Sequence, residues 1–570
     1  MTSVVPDSDL AAGRRALLGE DPLTAQSLLQ RAVAAEPANI EARYWLASAR
    51  LTSGSPQAGA SLDEARTLHA LILARSAGVD LARCQSDAAY ASDVATQFYA
   101  RKFVAVSGVL HNLAISAGTQ DPAALLNYGL ALQHQGRPDE AGEMMRAAVR
   151  IAPGPAVHQF LLYPQLLCED GERRHFVETR AWADAYVSGL PSAPHANPER
   201  RGRRLRIGYV APRFAGSQLA QFVAPLLDHH DPRAVAVTLY PADAATETAW
   251  PSWIDVHPLG GLGDAQAAER IRADGIDVLS DCWGHTAGAR LRVFGYRPAP
   301  VQVAWMNFVQ TTGLSQMDYV LHADLPAGTS GPSPEMFTET IWRIGPVFSA
   351  FRAAAGRLAP TPTPALRGAR FTFGSFNHPA KLSGVTLDAW GAILRGAPQS
   401  RLLLKYSYFA DPVLQRVTQA RFAARGVAPE RITFAGHSLG EAYFRAFQEV
   451  DLMLDTWPAP GSTTTLDALS HGAPVLVKSG ADTAGLYVRS ILEACGLAEL
   501  IADDAQDYIV RALDLAGDPQ RLDAIRARTR PGFDGGACGD EAGFTRRIEA
   551  AFEAMFDAWR MRSVDRRAYG

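Results

Sequence analysis

From residue 9 to about residue 160, apolar positions recur three and four apart, filled mainly by Ala and Leu, and short Gly or Pro breaks separate the runs. This pattern predicts paired helices and almost no strand. The clearest unit covers residues 121–153, where Leu125, Tyr128, Gly129, Leu132, Gly136, Ala141, Met145, Ala148 and Pro153 fall at the large–small offsets of a tetratricopeptide repeat of about 34 residues, with 136–139 as its turn. Gly13, Ala16, Ala25, Leu29, Ala32 and Pro37 mark a first unit, Leu46, Ala47 and Gly54 open a second, and Phe103, Ala105 and Val109 mark another. Small residues such as Gly129 and Ala141 let two helices approach closely, and the Pro after the second helix stops it. An ordinary alanine-rich bundle is the alternative reading. Three or four stacked units would offer a concave surface to an extended or helical segment of a partner protein.

The array accounts for residues 1–190, and residues 191–204, rich in Pro and then in Arg, read as a linker. The pattern then changes to short β-branched apolar runs separated by helix-length segments: 205–210, 235–240, 276–281, 301–305 and 319–321, then 370–376, 401–405, 431–434, 451–455 and 474–478. That alternation predicts parallel sheets built from βαβ units. An irregular Pro- and Gly-rich stretch, 326–367, separates the two sets. Residues 205–367 therefore form one Rossmann-like half and 368–542 a second, and such folds bind ligands at the carboxyl ends of their strands. A closing segment, 543–570, carries Ile548, Phe552, Met555, Phe556 and Trp559 on one helix face and is placed to brace the two halves.

Composition narrows the function. The 570 residues hold 55 Lys plus Arg against 59 Asp plus Glu, a net charge of −4, with 47% hydrophobic residues. This excludes a disordered chain and a nucleic-acid binder that works by bulk charge. Five scattered cysteines without metal-ligand spacing read as reduced thiols. The absence of a signal-like start and of an apolar run of about 18 residues predicts a cytoplasmic protein with no membrane span. No GxGxxG follows the first strand, which disfavours a dinucleotide oxidoreductase.

Three stretches carry candidate chemistry. In 454–477 a strand ends at Asp455, a Pro/Gly loop follows, and Ser462-Thr-Thr-Thr465 opens a helix. Amides and dipole at that helix start suit a phosphate, and Asp467, one turn in, would accept from ribose hydroxyls; the competing reading is that Ser462 only caps the helix. Gly374-Ser-Phe-Asn-His-Pro-Ala-Lys381 follows a strand, and its Lys would neutralise a departing phosphate unless it simply faces solvent. His285, in Gly-His-Thr after another strand, is placed at the cleft edge to bind a sugar or take a proton, with a structural hydrogen bond as the alternative.

These motifs, with Arg-Pro-Ala-Pro-Val-Gln-Val, Thr-Thr-Gly and Gly-Ser-Thr-Thr-Thr in the same order, resemble the O-linked N-acetylglucosamine transferase family and its bacterial relatives over nearly the whole chain. The resemblance implies a GT-B fold after the repeats. It also implies metal-independent, inverting transfer of a sugar from a nucleotide donor to Ser or Thr of a protein held by the repeats, with no cofactor. By position, Lys381 matches the lysine that contacts the donor diphosphate, Thr463 and Thr464 the phosphate-binding threonines, Asp467 the ribose-binding aspartate, and His285 the histidine of the bacterial motif. Asn377, His378, Tyr443 and Ser462 complete the implied donor site. The Asp-x-Asp letters at residues 7–9 read as helix capping and not as a metal motif.

Departures cluster around the donor. The family's histidine after the first strand is Ser217 here, beside Gln218; a glycine of the sugar loop is Gln310; the base-stacking histidine is Tyr443; a ribose-contacting lysine is Gly440. The histidine before the phosphate threonines is Ser462, and a Ser-Arg-Val segment reads Gly485-Leu-Tyr487. Two donors fit these changes: a UDP-sugar, or a CMP-nonulosonic acid of the kind used by flagellin glycosyltransferases, which share this architecture. A catalytically impaired repeat scaffold is the third reading. A truncation starting near Arg204 is expected to fold and to lose its protein acceptor.

Overall fold

The computed structural model describes residues 8–18, 21–53, 58–195, 197, 202–247, 250–306, 310–324, 331–480 and 482–568. Two compact units make up the chain, Met1–Ala152 with His378–Ser438, and Pro153–Asn377 with Leu439–Gly570. The first contains helices α1 (Asp9–Leu18), α2 (Pro22–Ala35), α3 (Ile40–Thr52), α4 (Ala58–Ser76), α5 (Leu81–Ser86), α6 (Ala88–Ala100), α7 (Val104–Ser116), α8 (Pro122–His134) and α9 (Pro138–Ile151). They pack as the expected consecutive pairs, α1 with α2, α3 with α4, α6 with α7 and α8 with α9. Asp21, Asn39, Asp87 and Asp121 each accept backbone N–H bonds that would otherwise be orphaned at helix starts. The glycines explain the close approach within pairs: a Cβ on Gly13 would stand 2.6 Å from Leu29 Cγ, and one on Gly129 would stand 2.9 Å from Met145 Cγ. Gly54 and Asp7 lie outside the described residues. Asp9 pairs with Arg31, and the cap next to it is the Ser8 hydroxyl, which accepts the Ala11 N–H.

The array does not stand alone. In the same unit Asp411 accepts the Ala105 N–H at 2.7 Å, and Arg416 lies 5.4 Å above the Tyr44 ring. The expected boundary at residue 190 also moves. Helices α10 (Pro155–Gln159), α11 (Leu162–Leu166) and α12 (Gly171–Tyr186) belong to the second unit, because Trp182, Ala183 and Val187 bury their apolar surface against Leu291, Val293 and Phe294. The described part of the linker is pinned as well: Asn197 donates to Asp277 at 2.9 Å, and Arg203 pairs with the same carboxylate at 2.6 Å.

The second unit holds a seven-stranded parallel sheet, β1 (Leu205–Val210), β2 (Val235–Tyr240), β3 (Asp255–Val256), β4 (Val278–Asp281), β5 (Val301–Ala304), β6 (Tyr319–His322) and β7 (Thr340–Arg343), in the order β3-β2-β1-β4-β5-β6-β7. The order reverses between β1 and β4, and the loops after those two strands carry Ser217 and His285. Strand β7 lies inside the stretch expected to be irregular. It pairs Thr340–Arg343 with Tyr319–His322, a long-range partner that local composition does not reveal.

The strands of the second half divide between units. β8 (Thr372–Ser375), β11 (Leu452–Leu454), β12 (Val475–Lys478) and β13 (Ile501–Ala502) belong to the second unit, and β9 (Arg401–Lys405) pairs with β10 (Ile432–Ala435) in the first. The chain thus has the expected order, a helical repeat array followed by two parallel-sheet halves of GT-B type. The C-terminal helix Glu541–Ala568 returns to the first half, where Phe544 stacks on Trp305 and Glu549 accepts from His230 at 2.8 Å.

Candidate functional site

The loop between β11 and the helix Thr463–Ser470 is organised by one carboxylate. Asp455 Oδ1 accepts the Gly461 N–H at 2.7 Å, the Thr456 N–H at 2.9 Å and Asn377 Nδ2 at 2.8 Å. Asn377 in turn accepts the Thr464 hydroxyl at 2.8 Å, so Asn377 ties the end of β8 to the start of the helix. Gly461 is required here: a Cβ would lie 2.6 Å from Thr465 Oγ1 and 2.7 Å from Thr464 Oγ1. Ser462 makes no side-chain cap hydrogen bond; its hydroxyl sits 2.9 Å from that of Tyr487. The capping reading is therefore not what the structure shows. The first amides of the helix, with its positive dipole end, keep their capacity for an anion, a placement worth about 0.3–1 kcal/mol for a charge near the surface.

One turn in, Asp467 is 8% exposed and receives the Tyr443 hydroxyl at 3.2 Å. Burial pushes its carboxyl up to about 6, against hydrogen bonds from Tyr443 and Gln221 that lower it. Tyr443 packs edge-on against Phe447 at 5.3 Å, leaving a half-buried ring beside the acid. Asn377, Tyr443, Ser462, Thr463, Thr464 and Asp467 thus converge on one helix end in the second unit. Sequence reasoning missed Asp455 as the organiser and Gln221, which reaches Asp467 from the helix α13 (Ala220–His229). The signal for Asp455 was its place at a strand end before a Gly/Pro loop.

The residues of the first half stand differently. Ser217 donates its hydroxyl to the Phe214 carbonyl at 2.9 Å, and Gln218 is exposed. Their loop is held by a buried acid unnoticed in the sequence: Glu247 accepts the Phe214 N–H at 2.8 Å, the Ala215 N–H at 3.0 Å and the Trp250 indole at 2.8 Å. His285 does not lie at an open cleft edge. It is 4% exposed, with Nε2 2.7 Å from the Thr312 carbonyl and the Trp182 ring edge-on at 4.9 Å. Burial lowers its pKa to about 4, which leaves it neutral. This is the structural hydrogen bond raised as its alternative, and the physical reason is α12 packing over the loop. Gln310 is buried next to Thr311 and Thr312, both of which hydrogen-bond Glu339.

Lys381 and His378 lie in the first unit, on and before the one-turn 3-10 helix Pro379–Lys381. His378 Nδ1 accepts the Ala380 N–H at 3.0 Å and so caps the turn; its ring is half-buried among Tyr406 at 4.7 Å, Tyr408 and His134. Among the described residues no helix is long and apolar enough to cross a membrane.

Comparison with known proteins agrees with this geometry. The profile of glycosyl transferase family 41 matches residues 186–332 and 365–532. The probable UDP-N-acetylglucosamine–peptide N-acetylglucosaminyltransferase SPINDLY of Oryza sativa subsp. japonica is 31% identical over 392 residues, 66% of this chain and 42% of the rice protein. The protein of the same name from Solanum lycopersicum is 30% identical over 410 residues, 70% of this chain and 43% of that one. The chain thus spans about two-fifths of the length of these curated relatives. Among solved structures, a mutant O-GlcNAc transferase from Thermobaculum terrenum superposes with a TM-score of 0.73 at 27% identity, covering 97% of this chain and 98% of that one.

Proposed function

The chain belongs to glycosyl transferase family 41, and on that footing we propose that it is a protein O-glycosyltransferase. It would move a sugar from a nucleotide donor to a Ser or Thr hydroxyl of a protein docked on the repeat array. The observation that carries the reading is the helix start at Ser462–Thr464: amides with no side-chain cap, a preceding loop fixed by Asp455, the Thr464 hydroxyl held by Asn377, a buried Asp467 one turn on, and the Tyr443 ring beside it. These are partners for a phosphate, for ribose hydroxyls and for a base, met in sequence along one helix end.

In the proposed reaction the acceptor oxygen attacks the anomeric carbon, and the bond from that carbon to the phosphate oxygen breaks. The electron pair leaves with the nucleotide, and a single displacement inverts the centre. The charge growing on the leaving phosphate would be met by the helix amides and the Thr463 hydroxyl and, by its family position, by Lys381, with no metal and no cofactor. The acceptor proton passes to an oxygen of the donor's own phosphate, because Ser217 is turned onto a carbonyl and His285 is enclosed. Lys381→Ala is expected to lower transfer by about two to three orders of magnitude in a folded protein; full transfer by that variant, measured with labelled donor, would remove Lys381 from the reaction.

For the donor, UDP-N-acetylglucosamine is the first reading, in line with the names its relatives carry. A CMP-nonulosonic acid, with flagellin as acceptor, is the second. It draws on Gln310, which stands in place of a glycine, and on Ser462, which stands in place of a histidine and pairs with the Tyr487 hydroxyl. Thermal-shift titration separates them: stabilisation by UDP and UDP-N-acetylglucosamine supports the first, stabilisation by CMP alone the second, and stabilisation by none leaves the scaffold.

A further inference from the structure

His134, the last residue of α8, is 7% exposed and lies at the centre of an aromatic cluster. Its Nε2 is 2.7 Å from the Tyr99 hydroxyl at the end of α6 and 3.3 Å from the Tyr408 hydroxyl after β9. Its ring stacks on Tyr408 at 4.5 Å and 27°, and meets the His378 ring at 4.7 Å. His378 touches Tyr406 and Tyr408 as well and spends Nδ1 on the Ala380 N–H. Repeat helix, histidine pair and the turn that ends in Lys381 are thus joined by one continuous run of ring contacts.

Protonation state matters to the stack. His378 accepts through Nδ1, so its proton sits on Nε2, and a second proton would turn the cap's acceptor into a donor facing a donor. Burial, with His134 and Lys381 nearby, holds His378 well below the usual histidine range. Burial likewise keeps His134 down at about 3, with Lys102 adding to it. A second contact joins the same elements. The turn after α8 has Gly136 at φ +72°, where a Cβ would come 3.1 Å from Arg421 Nη1 and 3.4 Å from the Leu382 carbonyl. Arg421 donates to that carbonyl at 2.8 Å, so the repeat turn seats directly on the residue that follows Lys381.

We propose that His134 is a positioning residue for Lys381: it wedges the His378 ring against Tyr408, His378 caps the 379–381 turn, and the turn sets where the lysine stands. The repeat array then orients a group of the reaction besides holding the acceptor. This rests on the role given above to Lys381, and the test separates the two.

The full chain is compared with His134→Leu, which keeps volume and loses the ring, and with His134→Phe, which restores the ring. Amide hydrogen exchange over residues 379–382 reads the cap without any activity. Turnover of UDP-N-acetylglucosamine onto a Ser/Thr peptide reads its consequence. In His134→Leu the Ala380 amide is expected to exchange about tenfold faster and kcat to fall about tenfold with the acceptor KM unchanged, a loss in the range that a small misplacement causes. His134→Phe should recover most of both. If His134→Leu does not fold, Tyr408→Leu takes its place with the same expectation. Wild-type exchange in the folded variant, or fast exchange with wild-type kcat, overturns the proposal. If Lys381→Ala is itself fully active, the reading of Lys381 fails, while the exchange measurement still reports on the clamp.

Discussion

At the level of single residues, the helix start at Ser462–Thr464 depends on where a few polar atoms find their partners. Ser462 looks like a helix cap in the sequence, yet its hydroxyl pairs with Tyr487, 25 positions away, and the helix amides stay available. Asp467 was legible as a polar residue one turn into a helix, but its ionisation state was not, because the carboxyl is raised by burial. Between the ordinary 3.8 and about 6 the folded state binds the proton that the unfolded chain releases, so stability falls as pH rises through that window. Asp467→Asn should remove this slope from thermal melts. A ribose hydroxyl donates best to the ionised carboxylate, so affinity for UDP-N-acetylglucosamine, whose esterified phosphates do not titrate near pH 6, should rise by calorimetry as pH passes about 6 in the natural protein and stay flat in Asp467→Asn. A pH-independent affinity in the natural protein would detach Asp467 from the nucleotide.

At the level of elements, the helix pairs and the longer strands follow from spacing, with differences of one or two residues at the strand ends. The pairs follow from apolar periodicity and from glycines placed where helices touch. Gly129→Leu should therefore destabilise the array by about 1–3 kcal/mol, since its side chain must enter the space held by Met145 and the Ala141 carbonyl. Urea unfolding followed by circular dichroism checks this, and an unchanged midpoint would mean the pair opens at little cost. The short strands β3, β7 and β13 escaped notice because two to four residues carry no usable alternation. The position of His285 escaped for another reason: Gly-His-Thr after a strand reads as a cleft motif, and only the packing of Trp182 over it shows the ring enclosed.

At the level of the whole molecule, the units cut across the chain order. A truncation starting at Arg204 would remove the partners of His378, Tyr408, Asp411 and Arg416, all within one compact unit with the array. Such a truncate is expected to lose the fold of 378–438 along with its acceptor, seen as rapid proteolytic cleavage in that segment. Native-like protection there would restore the array to an independent module. The sequence by itself determined the order of array and parallel-sheet halves, the family and the helix start at Ser462–Thr464. These depend on local periodicity and on motifs that lie within a few residues of each other. Only the tertiary structure decided that Asp455 and Asn377 organise that helix start, that Glu247 holds the loop of Ser217, and that His134 touches His378. Each of those contacts joins residues some thirty to two hundred and fifty positions apart. No local pattern encodes such pairings, because they arise when separately stable elements find a common surface to bury.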